Sequence, residues 1–174
     1  MTNAHNLLLR GLNSIYLQAP YVSIPADIKD LLIYCRAWID TVHIHHAHED
    51  AILFPDLIKL TGREDIVSTE QESHRILHEG MERFGGWIHG IEADLQKWSW
   101  DGESGLKAVL DSFANVFVKH LGEEVDMLRS LKDYDSQRLL EICERTENAA
   151  KQIDDKEVFV RSPSPWLLRR NANR

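Results

Sequence analysis

Through most of the first 131 positions, apolar residues recur at alternating spacings of four and three, the pattern of a seam where helices pack at a shallow angle. No stretch alternates in the period-two manner of a strand. Proline and glycine punctuate the pattern at Pro20 and Pro25, at Gly62, at Gly85-Gly86, at Gly102 and Gly105, and at Pro163 and Pro165. The spacing predicts helices over about 3–18, 26–60, 64–98 and 104–131, then a polar fifth helix over about 135–153. Pro55 falls inside the second, where a missing N–H and a ring clash should kink or shorten it, and Gly85-Gly86 should weaken the third. The fold class expected is all-α: an up-down-up-down four-helix bundle over 1–131, with a C-terminal helix and a basic, Pro/Ser-containing tail over 132–174 packed on or extending from the same domain.

The seams turn polar midway. In the second segment the seam runs Leu31, Cys35, Trp38, Val42, His45, Glu49, Ile52; in the fourth it runs Leu106, Leu110, Phe113, Phe117, His120, Glu124, Met127, Leu131. The third reads Val67, Gln71, His74, His78, Met81, Gly85, Ile88, and the first offers His5, Leu9, Leu12, Tyr16. Residues four apart share a helix face. His45 with Glu49, His74 with His78, and His120 with Glu124 therefore each present two groups inward, and counting from the turns at Gly62 and Gly102 brings the three pairs to a similar depth. With His5, five imidazoles and two carboxylates converge. Burying them without partners costs several kcal/mol per group, roughly. A pair of metal ions compensates, and mixed imidazole and carboxylate donors suit iron, zinc or manganese rather than calcium or magnesium.

Composition narrows the partners. A formal charge of -8 argues against general nucleic-acid binding, which rests on a basic surface. Cys35 and Cys143 form no CxxC pair, so neither a disulfide scaffold nor a cysteine zinc site is indicated, and a reducing compartment fits. No run approaches the length of a membrane span, and MTNAHNLLLRGLNSIY has neither a signal-peptide nor a transit-peptide character, which makes the expected location cytoplasmic.

The pieces HNLLLRGL, HHAHEDAILFP, HRILH and HLGEEVDML, in that order over about 1–131, resemble the hemerythrin-like family, the histidine-rich HHE cation-binding domain. The resemblance implies a non-haem diiron centre in which His74, His78 and His120 bind one iron, His5 and His45 bind the other, and Glu49, Glu124 and an oxo or hydroxo group bridge them. It implies an open coordination site on the second iron for dioxygen, peroxide, nitric oxide or an inhibitory anion. The second bridge departs from the aspartate of oxygen-carrying hemerythrins, since Glu123, Glu124 and Asp126 follow His120 and the seam selects Glu124. Oxygen or redox sensing is the function expected, with a diiron oxidoreductase (oxidase, peroxidase or nitric-oxide-consuming enzyme) or iron buffering as alternatives. No nicotinamide or flavin fingerprint is present, so a reductant would come from an electron-donor protein or a small molecule.

The remaining groups take plainer readings. His43, His46, His48 and His89 are expected as surface or hydrogen-bonded histidines, and His46 with Asp50 forms a rival inward pair on the flank of the second seam, about 100° round from His45. Glu82 continues the His74–His78 face as a solvated or imidazole-anchoring carboxylate. Trp38, Phe113, Phe117 and Met127 should keep the centre dry, and Cys35 should be buried and inert. The tail over 161–174 carries four arginines and no acid, and Trp166, Leu167 and Leu168 could dock on the bundle, on another copy or on an unknown partner, the bundle being the plainer choice.

Overall fold

Helix α1 (Thr2–Gln18) turns through a short 3-10 segment at Pro20 into α2 (Pro25–His48), whose proline stands at the first helical position, where its missing N–H is no loss. A computed structural model describes residues 2–154 of the chain; the expectations for the basic tail lie outside the described residues. After α2 the chain passes through one π-helical turn (Glu49–Leu53) into α3 (Phe54–Thr61), then α4 (Ser68–Ala93), α5 (Leu106–Asp111), α6 (Ala114–Ser130) and α7 (Ser136–Asp154). Every element among the described residues is helical, in agreement with the all-α expectation.

Four rods form the bundle. Helix α1 packs on α2, α2 on α4, α4 on α5 and α6, and α6 closes the ring on α1. The second rod is one element in the sequence reading and three in the structure, because Pro55 cannot donate to the carbonyl one turn back; the strain is absorbed as a widened turn in which the Phe54 N–H bonds the Glu49 carbonyl. Gly62, at φ 69°, then ends α3 in the left-handed conformation that a residue with a Cβ adopts only at a cost, its N–H bonding the Ile58 carbonyl at 2.8 Å. The fourth rod breaks at Ser112–Phe113, where Phe113 leaves helical geometry at φ -135° and the Ser112 hydroxyl donates to the Val109 carbonyl at 2.7 Å.

Two apolar clusters result, one on each side of the polar layer. The larger is centred on Trp38, which stacks on Phe113, meets Phe117 edge-on with ring centroids 5.4 Å apart, and donates its indole N–H to the Leu8 carbonyl at 2.9 Å. The smaller gathers Leu53, Phe54, Leu57, Val67 and Leu131, and α7 lays Leu139 and Ile142 against it. An ion pair between Arg145 of α7 and the mostly buried Asp56 of α3 pins that helix across the end of the bundle.

Close helix contact is set by two glycines. A Cβ at Gly80 would stand 2.8 Å from the Cβ of Phe113, and one at Gly11 would stand 2.4 Å from the Trp38 ring. Gly85 and Gly86 have open space around them, and α4 runs through both without interruption, so the expected weak point is absent. Gly80→Ala should therefore destabilise the fold by about 1–3 kcal/mol through overpacking. Gly85→Ala or Gly86→Ala should stabilise it by about 0.5–1 kcal/mol each through helix propensity. Urea unfolding midpoints of the three variants check both signs.

Candidate metal centre

Neighbouring residues on a helix point about 100° apart, so His45 and His46 straddle Glu49 and face different rods. His45 meets His5 of α1, with ring centroids 5.1 Å apart. His46 stacks on His74 of α4 at 4.1 Å and meets His120 of α6 edge-on at 5.2 Å. The donor atoms fall into two groups, each lying within 4.8 Å: His46, Glu49, His74 and His120 in one, and His5, His45, Glu49 and Glu124 in the other. Glu49 belongs to both, its Oε1 standing 2.9 Å from His45 Nε2 and its Oε2 3.5 Å from His74 Nε2.

The outer nitrogens are already committed. His74 Nδ1 lies 2.9 Å from Asp50, His120 Nδ1 lies 2.9 Å from the buried Glu70, and His5 Nδ1 lies 3.1 Å from the Leu121 carbonyl. Donating an Nδ1–H to these oxygens leaves each Nε2 lone pair pointing inward, the arrangement by which carboxylates and carbonyls orient metal-binding imidazoles. Inside the layer the Nε2 atoms of His5, His45, His46, His74 and His120 and both oxygens of Glu49 and Glu124 are buried without a hydrogen bond. Each bare atom of this kind costs about 1–3 kcal/mol, so together they rival the 5–15 kcal/mol net stability of an ordinary domain. These are electron-pair donors converging on two points, and the set fits a pair of cations.

The electrostatics agree. Burial, and then the charge of Glu124, raise the Glu49 carboxyl well above the ordinary glutamate range. Burial acts in the same way on Glu124, but contact with His5 and His45 outweighs it and holds that carboxyl low. Without a cation the two carboxylates therefore cannot share the layer as a fully ionised pair. Burial pushes His45 down to about 3, opposed by Glu124 and assisted by His5, His120 and His74; burial and the same crowding of imidazoles depress His46 further.

Six of the seven residues expected from the sequence meet here: His5, His45, Glu49, His74, His120 and Glu124. The structure does not bring His78 to them. Its side chain is 62% exposed, beside His43 and 3.9 Å from Glu82, and His46 stands in the layer in its stead. The reason is the phase of α4. The expected seam took Gln71, His78 and Gly85, whereas the buried line runs Val67, Glu70, His74, Leu77, Met81, Phe84, Ile88. Both phases share positions 67, 74, 81 and 88, and the larger apolar side chains at 77 and 84 were the signal that separates them. His48 bonds the Ile44 carbonyl at 2.6 Å and His89 is exposed, both as expected. Cys35 is fully buried, ringed by core residues.

The profile of the hemerythrin HHE cation binding domain matches residues 1–131. The chain belongs to the hemerythrin family. It is 37% identical over 160 residues to the "dimeric xanthone biosynthesis cluster protein R11" of Cryptosporiopsis sp. (strain 8999), an alignment covering 91% of this chain and 58% of that relative, so the chain spans little more than half the relative's length. No solved structure matches it significantly. Among the described residues no helix is long and apolar enough to cross a membrane.

Between α2 and α4 a groove of about 760 Å³ opens onto the donor layer, lined by the buried His46 and His74, by the exposed Asp50, and by His43 and His78 at its lip. The depressed imidazoles give a sign for the metal-free protein. His45 and His46 are neutral in the fold, so their contribution to stability is complete above the ordinary histidine value of 6.5 and lost as pH falls from there toward 3. The urea midpoint of metal-free protein should accordingly fall as pH is lowered from about 6.5 to 4, where unfolded imidazoles take up protons and the buried ones do not. His46→Phe, which removes one such group, should flatten that slope.

Proposed function

We propose that the protein is a cytoplasmic non-haem diiron protein that binds dioxygen, or a related small ligand such as peroxide or nitric oxide, and acts in oxygen or redox sensing. The observation that carries this reading is the inward set of five imidazole nitrogens and four carboxylate oxygens, all buried and all without hydrogen bonds. Membership of a cation-binding family supports it. His46, His74 and His120 would hold one ion and His5 and His45 the other, with Glu49 reaching both and Glu124 on the side of the second. When bound, an iron pair supplies reversible electron transfer and Lewis acidity.

This chain's residues supply the rest. Asp50, Glu70 and the Leu121 carbonyl hold the Nδ1 protons of His74, His120 and His5, which fixes the ring planes and keeps the inner nitrogens basic. Trp38, Phe113 and Phe117 wall off one side of the layer from water, and Leu53 and Phe54 the other. With three imidazoles in one group and two in the other, an ion held by the second group would keep room for an exogenous ligand.

A diiron oxidoreductase acting on a small organic molecule is the second reading. The groove favours it, being within the roughly 300–1,000 Å³ usual for ligand pockets and open onto the His46–His74 side. So does a relative named for a biosynthesis cluster. An electron-donor protein or small reductant would then be required.

Iron-replete expression followed by elemental analysis should give two iron ions per chain; a single zinc with no recoverable iron would sink the diiron reading. His46→Ala, Glu49→Ala and Glu124→Ala should each lose metal, whereas His78→Ala should retain it. Glu70→Gln, by loosening His120, should weaken metal affinity about 10–100-fold. Dioxygen binding is tested by exposing anaerobically reduced protein to oxygen while recording its absorption spectrum. An unchanged spectrum counts against it, and full repeated recovery under argon would indicate carriage rather than sensing.

A further inference from the structure

The two histidines at the lip of the groove have no task in the buried layer, yet they are placed against one another. His43 on α2 and His78 on α4 stand with ring centroids 5.2 Å apart and planes inclined by 59°. Glu82, one turn beyond His78, has an oxygen 3.9 Å from His78 Nε2, and Asp40 is the second carboxylate whose charge reaches His43. Two imidazoles from neighbouring helices with a carboxylate one turn away make the borderline donor set that first-row divalent ions prefer. His78 and Glu82 are mostly exposed, at 62% and 68%, so they can swing together around a hydrated ion without disturbing the core.

The same groove is lined further along by His46 and His74, which are buried, and by the exposed Asp50 beyond them. A cation held in it would find nitrogen and carboxylate donors both at the lip and along the wall to exchange for water.

We propose that His43, His78 and Glu82 form a second, solvent-facing metal site that captures hydrated ferrous ion and delivers it through the α2–α4 groove to the buried centre. The delivery role rests on the diiron reading above; the existence of the outer site does not.

Ni(II), which favours imidazole, is the probe for the site itself. Titrated below one equivalent into the full-length metal-free protein, it should broaden the NMR resonances of the His43 and His78 rings first. The effect should vanish in His78→Ala and weaken in Glu82→Gln, both exposed positions that leave the fold intact. Delivery is read by stopped-flow uptake of limiting Fe(II). The His43→Ala/His78→Ala double variant should load at least fivefold more slowly than wild type and reach the same final iron content. Equal loading rates would overturn delivery, and absence of selective broadening would overturn the outer site. A lower final iron content in the double variant would also overturn the proposal, since it would make His78 a ligand of the buried centre. If wild type takes up no iron, the diiron reading and delivery fall together while the broadening experiment still decides the outer site.

Discussion

Two carboxylates buried side by side among imidazoles are the constraint on which the rest of this molecule depends. Glu49 and Glu124 have no measurable exposure, and neither accepts a hydrogen bond. Water cannot solvate them and no lysine or arginine among the described residues pairs with them, so a ligand or protons would supply the compensating positive charge. Protons are a poor solution, because the same burial that forces Glu49 to hold one keeps His45 and His46 from accepting one. The layer is an electrostatic socket, assembled at a cost in the free fold that cation binding offsets.

That cost explains the packing around it. The polar layer lies between two apolar clusters, one closed by Trp38 and its phenylalanines and the other by Leu53, Phe54 and α7. The close approach of rods permitted by Gly11 and Gly80 brings the aromatic cluster into contact on all sides. Beneath the layer, the π turn moves the inward face by one position after Glu49, so that Leu53 and Phe54 are buried where the regular seam pointed to Ile52. The turn which relieves Pro55 thus also seals the end of the centre, and Asp50 on the same turn reaches His74.

The bundle was legible because its four-and-three spacing has no competing period, and the layer because histidine and glutamate replace apolar residues at matching depths in separate rods. What was not legible was local phase. In α4 a four-and-three ladder can be climbed by either of two sets of rungs, and polar residues at 78 lent themselves to the wrong one; only the bulk of Leu77 and Phe84 discriminates. In α2 the adjacency of His45 and His46 hid the second of them, since a seam drawn with one residue per turn has no place for two neighbours that serve different rods. Glu70 was overlooked for the same reason as Leu77, being one position away from the expected Gln71. The break at Ser112–Phe113 carries neither proline nor glycine to announce it.

His5 bonds the carbonyl of a residue 116 positions further along the chain, and both of these belong to the wall of one socket. During synthesis the first donor leaves the ribosome long before the last, so no early fragment can present the complete set to a metal ion. Histidines of the nascent chain remain a loose, low-affinity collection until α6 arrives. The complete donor set is thereby postponed to the moment when the fold is nearly finished, and a truncated or stalled product presents only part of it.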